Sequence, residues 1–242
     1  MQKIVLLLIF FITVAVYSQI EEGVIVYKID MNKQQAAIDK EKSSMEPKKY
    51  EYYSNIYKAS KELEFKLSFN TKYSLYNSLD NLNIGKTNFF KDIALIMSYY
   101  KGEYYTSLSQ KKQIIKTDAG TNIDAPIENK EWKLTKETKK IGAFLCYKAT
   151  QVKTVPIGDV TIVAWYTPEI PFAYGPNNYV GQLPGLILEL NGLMATYKAK
   201  EIKLNPKKPV DIKWPQNVEA MSMDEYKKAG DEYYNKLKRE KR

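Results

Sequence analysis

The sequence predicts a mainly β, α+β fold: a single curved antiparallel sheet or open half-barrel with one or two helices, one of them carboxy-terminal. Three observations carry this. Short runs that alternate apolar and polar residues recur from Glu22 to Leu204, the period of a half-buried strand. Several are separated by turns far too short for a crossover to a parallel neighbour, at Lys101-Gly102, around Gly158 and at Asn191-Gly192. The final stretch, SMDEYKKAGDEYYNKLKREKR, drops the alternation for helical spacing.

The first eighteen residues, MQKIVLLLIFFITVAVYS, read as a secretory signal peptide. Lys3 supplies a positive start. Ile4 to Val16 form an apolar run shorter than a bilayer span needs. Val16 and Ser18 occupy the small-residue positions before a cut, which makes Gln19 the first mature residue. No Cys follows, so no lipid anchor is expected. The expected organisation is a signal peptide over 1–18, a β-rich domain over 19–221, and a helix with a basic tail over 222–242. The destination is the periplasm or the extracellular space.

EGVIVYKID alternates and predicts a strand. Met31 to Lys49 is polar, a loop or exposed helix that ends before Pro47. The tyrosine-rich YEYYSNIYKAS, LEFKLSFN and KYSLYN predict three strands, with Leu63, Phe65, Leu67 and Phe69 on one face. TNFFKDIALIMSYY has helical spacing, with Thr87 as N-cap and Asp92 in the first turn. Lys101-Gly102 predicts a hairpin between alternating tyrosines. KKQIIKTD is a strand and AGTNIDAP a loop. EWKLTKET, IGAFLCYKATQVKTV and VTIVAWYT are strands, the last two joined by the turn PIGD. Asn191-Gly192 predicts a two-residue type I′ hairpin. Ser222 and Glu225 have capping-box spacing, and Tyr226, Tyr233 and Leu237 form a weak helical stripe.

Composition excludes several chemistries. The chain has no His, so no imidazole base, His triad or His metal ligand exists. Neither a metal nor a cofactor is expected, and no catalytic residue is assigned. The single Cys, Cys146, precludes an intramolecular disulfide. Its place in an alternating run predicts a buried, inert thiol. The net charge is +9, but the only arginines are Arg239 and Arg242. The lysines are interspersed with acids, so nucleic acid is not an expected partner. Glu169, Glu189 and Asp159 are the carboxylates nearest the centre of interest. A carboxylate pair could in principle hydrolyse a glycoside, although no spacing rule favours one here.

That centre is YVGQLPGLILEL. Pro184-Gly185 suits a type II turn, and the apolar run with Leu186 and Ile187 suits a strand in the sheet interior. These four residues are structural. Gly185 is expected to be less forgiving of a side chain than Gly102. The preceding loop, Thr167 to Gly185, carries four prolines. It reads either as a self-packed loop or as a stiff support that presents Phe172, Tyr174 and Tyr179 to a partner.

AWYTPEIPFAYGPNNYVGQLPGLILEL resembles the signature region of the GLPGLI family of exported proteins of Gram-negative bacteria. The signature stands here as Gly181-Gln182-Leu183-Pro184-Gly185-Leu186-Ile187, with Gln182 interrupting the usual Gly-Leu pair. EWKLTKETKKIGAFLCYKAT and LSFNTKYSLY extend the resemblance over most of the mature chain. It implies a β-rich periplasmic or envelope protein, some relatives being encoded near outer-membrane transport components. It implies no catalytic residue. The expected function is therefore a non-enzymatic binding or interaction module for an envelope protein or an apolar ligand. The alternatives are a His-independent hydrolase using carboxylates and a structural envelope protein without a ligand.

Amino-terminal sequencing of protein recovered from the periplasm should read from Gln19. A mature chain beginning at Met1 would refute the cleavage.

Overall fold

Period-two alternation is realised as one twelve-stranded, unclosed sheet. The structure is a computed structural model; it describes residues 19–79, 89–128, 131–156 and 158–240. The signal peptide and the Thr87 cap lie outside these residues. β1 (Gly23–Asp30), β2 (Glu64–Phe69), β3 (Ser74–Ser78), β4 (Gly102–Ser107), β5 (Lys112–Thr117) and β6 (Asn122–Pro126) form one meander. β7 (Lys133–Ile141), β8 (Phe144–Val155), β9 (Gly158–Thr167), β10 (Leu186–Asn191) and β11 (Thr196–Leu204) form a second. β12 (Met221–Ser222) is a two-residue addition. The spatial order is β12-β6-β5-β4-β3-β2-β1-β11-β10-β9-β8-β7. Every pair is antiparallel except β12 with β6.

The two meanders share β1, which pairs with β2 on one side and β11 on the other. Its inward residues Ile25, Tyr27 and Ile29 are buried. Cross-strand register carries that face outward in rows: Ile25, Leu67, Tyr76, Tyr104, Ile115 and Ile123 in one direction, and Ile29, Tyr197, Leu190, Ala164 and Ala149 in the other. Phe65 stacks on Tyr76 at 5.6 Å and meets Tyr197 edge-on at 5.7 Å, so aromatic packing spans the seam. The Tyr27 hydroxyl donates to the Ile187 carbonyl at 2.6 Å. Ile187 adjoins a bulge in the β9–β10 ladder, so a side chain from β1 holds the irregular start of β10.

Four helices are present among the described residues, against the one or two expected. α1 (Asn32–Lys40) is the exposed helix expected before Pro47. α2 (Pro47–Ser60) replaces the strand predicted for YEYYSNIYKAS. Pro47 sits at its first turn, where a missing N–H costs nothing. Tyr53, Ile56, Tyr57 and Ser60 then fall on one helical face, with Ile56, Tyr57 and Ser60 buried. Tertiary burial overrides the β preference of tyrosine. α3 (Phe89–Met97) is a helix as expected, with Asp92 in its first turn, and it packs on α2. α4 (Met223–Glu240) carries the expected capping box: Glu225 N–H donates to Ser222 Oγ at 3.2 Å, and Ser222 N–H to Glu225 Oε2 at 2.8 Å. The Ser222 N–H, and after it the Ser222 hydroxyl, which also donates to Glu225 Oε2 at 2.8 Å, hold the Glu225 carboxyl below its usual range. Of the expected stripe, Tyr226 packs on the body while Tyr233 is exposed.

Other turns depart from expectation. Lys101-Gly102 is not a hairpin; Gly102 opens β4, and the chain reverses between β4 and β5 around Leu108 to Lys111. Residues 122–126 of the expected AGTNIDAP loop pair as β6. The β10–β11 hairpin exists, but Asn191 pairs with Thr196, and Gly192 N–H donates to the Ala195 carbonyl at 2.9 Å. The loop is thus four residues, not a type I′ pair. At Pro184 the Gly185 N–H donates to the Leu183 carbonyl at 2.8 Å, while Leu186 N–H goes to Ile170. That is a γ-turn centred on proline rather than the type II turn expected.

Gly102 and Gly185 have φ of +142° and +148°, and a Cβ at either would collide with backbone, Lys116 and Thr167 respectively. The expected asymmetry between them therefore disappears. Gly102→Ala and Gly185→Ala should each destabilise by about 2 kcal/mol or more, read from urea midpoints. A variant unfolding at the wild-type midpoint would refute the close approach at its position. Tyr27→Phe should cost about 1–3 kcal/mol, because it orphans the buried Ile187 carbonyl; an unchanged midpoint would show that carbonyl to be otherwise satisfied.

Candidate functional site

In a flat sheet β5 and β10 would lie six places apart, about 29 Å at the spacing of neighbouring strands. Instead Gln113 and Ile115 of β5 line one cavity with Leu190 of β10 and Tyr197 of β11. The sheet therefore curls far enough for the two meanders to face each other. The cavity has a volume of about 150 Å³, the size of one small ring rather than a drug-sized ligand. The proline loop contributes Asn177, Asn178 and Tyr179, and the end of α3 contributes Ser98 and Tyr99.

The wall is a buried polar network set among tyrosines. Ser74, Thr106, Gln113 and Ala125 are cross-strand neighbours on the inner face of β3 to β6, and all four are buried. Gln113 Nε2 donates to Thr106 Oγ1 at 3.0 Å. Across the cavity the Tyr197 hydroxyl donates to the Ser98 carbonyl at 2.6 Å. Asn177 Nδ2 donates to that hydroxyl at 2.9 Å and to the same carbonyl at 3.4 Å. Asn177 has φ of +53°, a conformation Asn tolerates better than most residues. Two oxygens remain, Gln113 Oε1 and Asn177 Oδ1, which are buried and have no hydrogen-bond partner. Such groups are rare in native interiors and call for an explanation.

Burial pushes the Tyr197 phenol up to about 12, and burial with the Glu128 carboxylate does the same to Tyr179. Burial also raises Tyr104. All three stay protonated at neutral pH. At the rim Lys101 is held below the ordinary lysine value by desolvation and by the nearby Lys227 ammonium; Glu128 and Lys153 complete that rim.

The three aromatics named from the sequence do not share an exposed face. Tyr174 is 2% exposed, inside the core. Phe172 is half-buried, 4.8 Å from Phe69 and stacked on Tyr174 at 6.2 Å. Tyr179 alone lines the cavity, its ring edge-on to Trp132 at 6.1 Å. The reason is the loop's geometry. Phe172 N–H donates to the Ile170 carbonyl, and Tyr174 N–H to the Phe172 carbonyl, both at 2.8 Å. These tight turns fold the loop onto its own side chains. Pro184, Gly185, Leu186 and Ile187 are architectural, the last two being buried. Gln182, which interrupts the signature, accepts the Trp132 indole N–H at 2.8 Å.

The carboxylates considered for hydrolysis each have a structural partner. Glu189 pairs with Lys139 at 2.7 Å, Glu169 accepts the Leu145 N–H at 2.8 Å, and Asp159 accepts the Thr154 hydroxyl at 2.7 Å. Cys146 is buried as expected, its thiol pushed up to about 11 by burial. Gln113, Asn177 and Tyr197 were not singled out by sequence reasoning. One signal existed: in KKQIIKTD, period two places polar Gln113 on the same face as Ile115.

Known proteins add the following. Residues 153–189 match the family model described as "Protein of unknown function (Porph_ging)". No curated protein matches. A solved structure of PNGF-II in a P21 crystal form is similar with a TM-score of 0.51 at 18% identity, covering 86% of this chain and 32% of that one. A second PNGF-II structure, in a C2 form, gives 0.49 at 17% identity over the same shares, 86% and 32%. The chain thus spans about a third of the PNGF-II chain, and the likeness is one of fold. The corner from β8 through the proline loop to β10 is the part that the family model recognises, and the GLPGLI-type resemblance read from Gly181 to Ile187 is to this same family of unknown function.

Proposed function

We propose that the protein is an exported, non-enzymatic binding module whose site is the cavity between the two meanders. The observation that carries this is the pair of buried, unpartnered amide oxygens, Gln113 Oε1 and Asn177 Oδ1, in one cavity wall. Tyr76 Oη, Asn77 Oδ1 and Gln182 Nε2 are buried and unpartnered as well, but Gln113 and Asn177 bring two such acceptors to residues that line one cavity, where a ligand can complete them. The partnered state of Glu169, Glu189 and Asp159 argues against the carboxylate hydrolase. Export rests on the pattern of residues 1–18 and on the family resemblance. Among the described residues, no helix is long and apolar enough to cross a membrane. Placement in the envelope and delivery to or from another envelope protein belong to the same proposal.

Filling the cavity separates binding from architecture. Ala125 is buried on the inner face of β6 and lines the space. Ala125→Leu should keep the melting temperature within a few degrees, a change of about 1 kcal/mol. It should also abolish binding of small fragments that wild-type protein binds in ligand-observed NMR. Failure of every fragment to bind wild-type protein would favour the structural reading; conversion of a fragment into product would favour the hydrolase.

A further inference from the structure

Resting on that reading of the cavity, we infer its ligand class: a neutral head group with at least two N–H or O–H donors, such as a primary carboxamide or a ring polyol. Four ligand chemistries can be weighed against the residues. An anion would face amide oxygens, which accept and cannot donate. A cation would meet Lys101 and Lys153 at the rim, with Glu128 the one acidic side chain among the lining residues, in a chain of net charge +9. A hydrocarbon would suit Ile115, Leu190 and the tyrosine rings, yet it would leave both amide oxygens orphaned in an apolar complex, where a missing partner is most costly. A neutral donor satisfies both oxygens and adds no charge.

Size narrows the class further. A cavity of about 150 Å³ holds one small ring or a short amide, not an extended chain. Each oxygen is screened from solvent by its neighbours, so binding must turn the amides toward the ligand. The terminal torsion of Gln and Asn is broad, so the turn costs chiefly the bond from Gln113 Nε2 to Thr106 and those from Asn177 Nδ2. Turning Asn177 exchanges its Nδ2 bonds to Tyr197 and Ser98 for a bond from the ligand to its oxygen. The rings of Tyr104, Tyr179 and Tyr197 line the same cavity and supply apolar surface for the carbon side of the ligand.

The test is an NMR titration of the full mature chain with six probes: acetamide, N-acetylglycinamide, glucose, myo-inositol, toluene and propylammonium. The side-chain NH₂ signals of Gln113 and Asn177 are the readout. The amides, the polyols or both should move these signals, and whichever group saturates at lower concentration identifies the source of the donors. Gln113→Met, which keeps length and removes the acceptor, should weaken that binding roughly tenfold while backbone signals elsewhere are unchanged. The wild-type shifts decide the question even if the variant fails to fold. Saturation by toluene or propylammonium alone would overturn the ligand class and leave the binding module standing. Binding of the donors that Gln113→Met leaves intact would overturn the assigned contact. No response to any probe would overturn both the ligand class and the binding module.

Discussion

The structure depends on how β1 joins two halves that are each a simple meander. Backbone pairing with β2 and β11 makes the sheet continuous, but continuity does not specify curvature. The Tyr27 hydroxyl does more. It leaves the central strand and reaches the Ile187 carbonyl at the bulge of β10, tying the middle of the sheet to the corner that the family signature encodes. Around that tie, Phe65, Tyr76, Tyr104 and Tyr197 pack across the seam. Large rings on one face and smaller residues such as Ala149 and Ala164 in the rows of the other half make the two halves unequal, and such a face closes onto itself more readily than onto solvent. The cavity is the space this closure leaves.

Chain order does not bring the cavity residues together; curvature does. Gln113 and Asn177 are far apart in sequence and on opposite meanders or loops. Burying two amides in such a place is stable only where their hydrogen bonds are completed. Thr106 completes half of Gln113, and Tyr197 with Ser98 completes half of Asn177. The remaining halves, Gln113 Oε1 and Asn177 Oδ1, are buried without a partner.

Strand assignments with strict alternation were legible because burial on one face leaves no alternative register. LEFKLSFN placed Leu63, Phe65, Leu67 and Phe69 correctly, and all are fully buried. The capping box at Ser222 was legible because it is a local bond. YEYYSNIYKAS was misread because tyrosine favours strands in general, whereas here the pattern of Ile56 and Tyr57 against the core decides. The turn at Pro184 was placed correctly but given the wrong hydrogen bond, since Leu186 N–H is drawn away to Ile170. For Phe172, Tyr174 and Tyr179 the sequence left a self-packed loop and a presenting one open; in the structure Tyr174 is buried and Phe172 packs on Phe69, in a loop folded by the short bonds at Ile170 and Phe172. Gln113 carried a visible but ambiguous signal: Ile114 beside it is buried as well, so period two alone could not say which face was inside.

The two borders of the open sheet are guarded by different means. At one, the chain places β12, only two residues long, alongside β6 and turns at once into α4. At the other, β7 is nine residues long and has an open side, but its sequence KLTKETKKI carries four lysines and its pairing with β8 is interrupted by a bulge. The first guard is steric and indifferent to the medium. The second is electrostatic, since like charges keep a second β7 from zipping on, and it weakens as salt shortens the reach of those charges. Raised salt should therefore expose one border of the sheet to a second copy while the other stays closed.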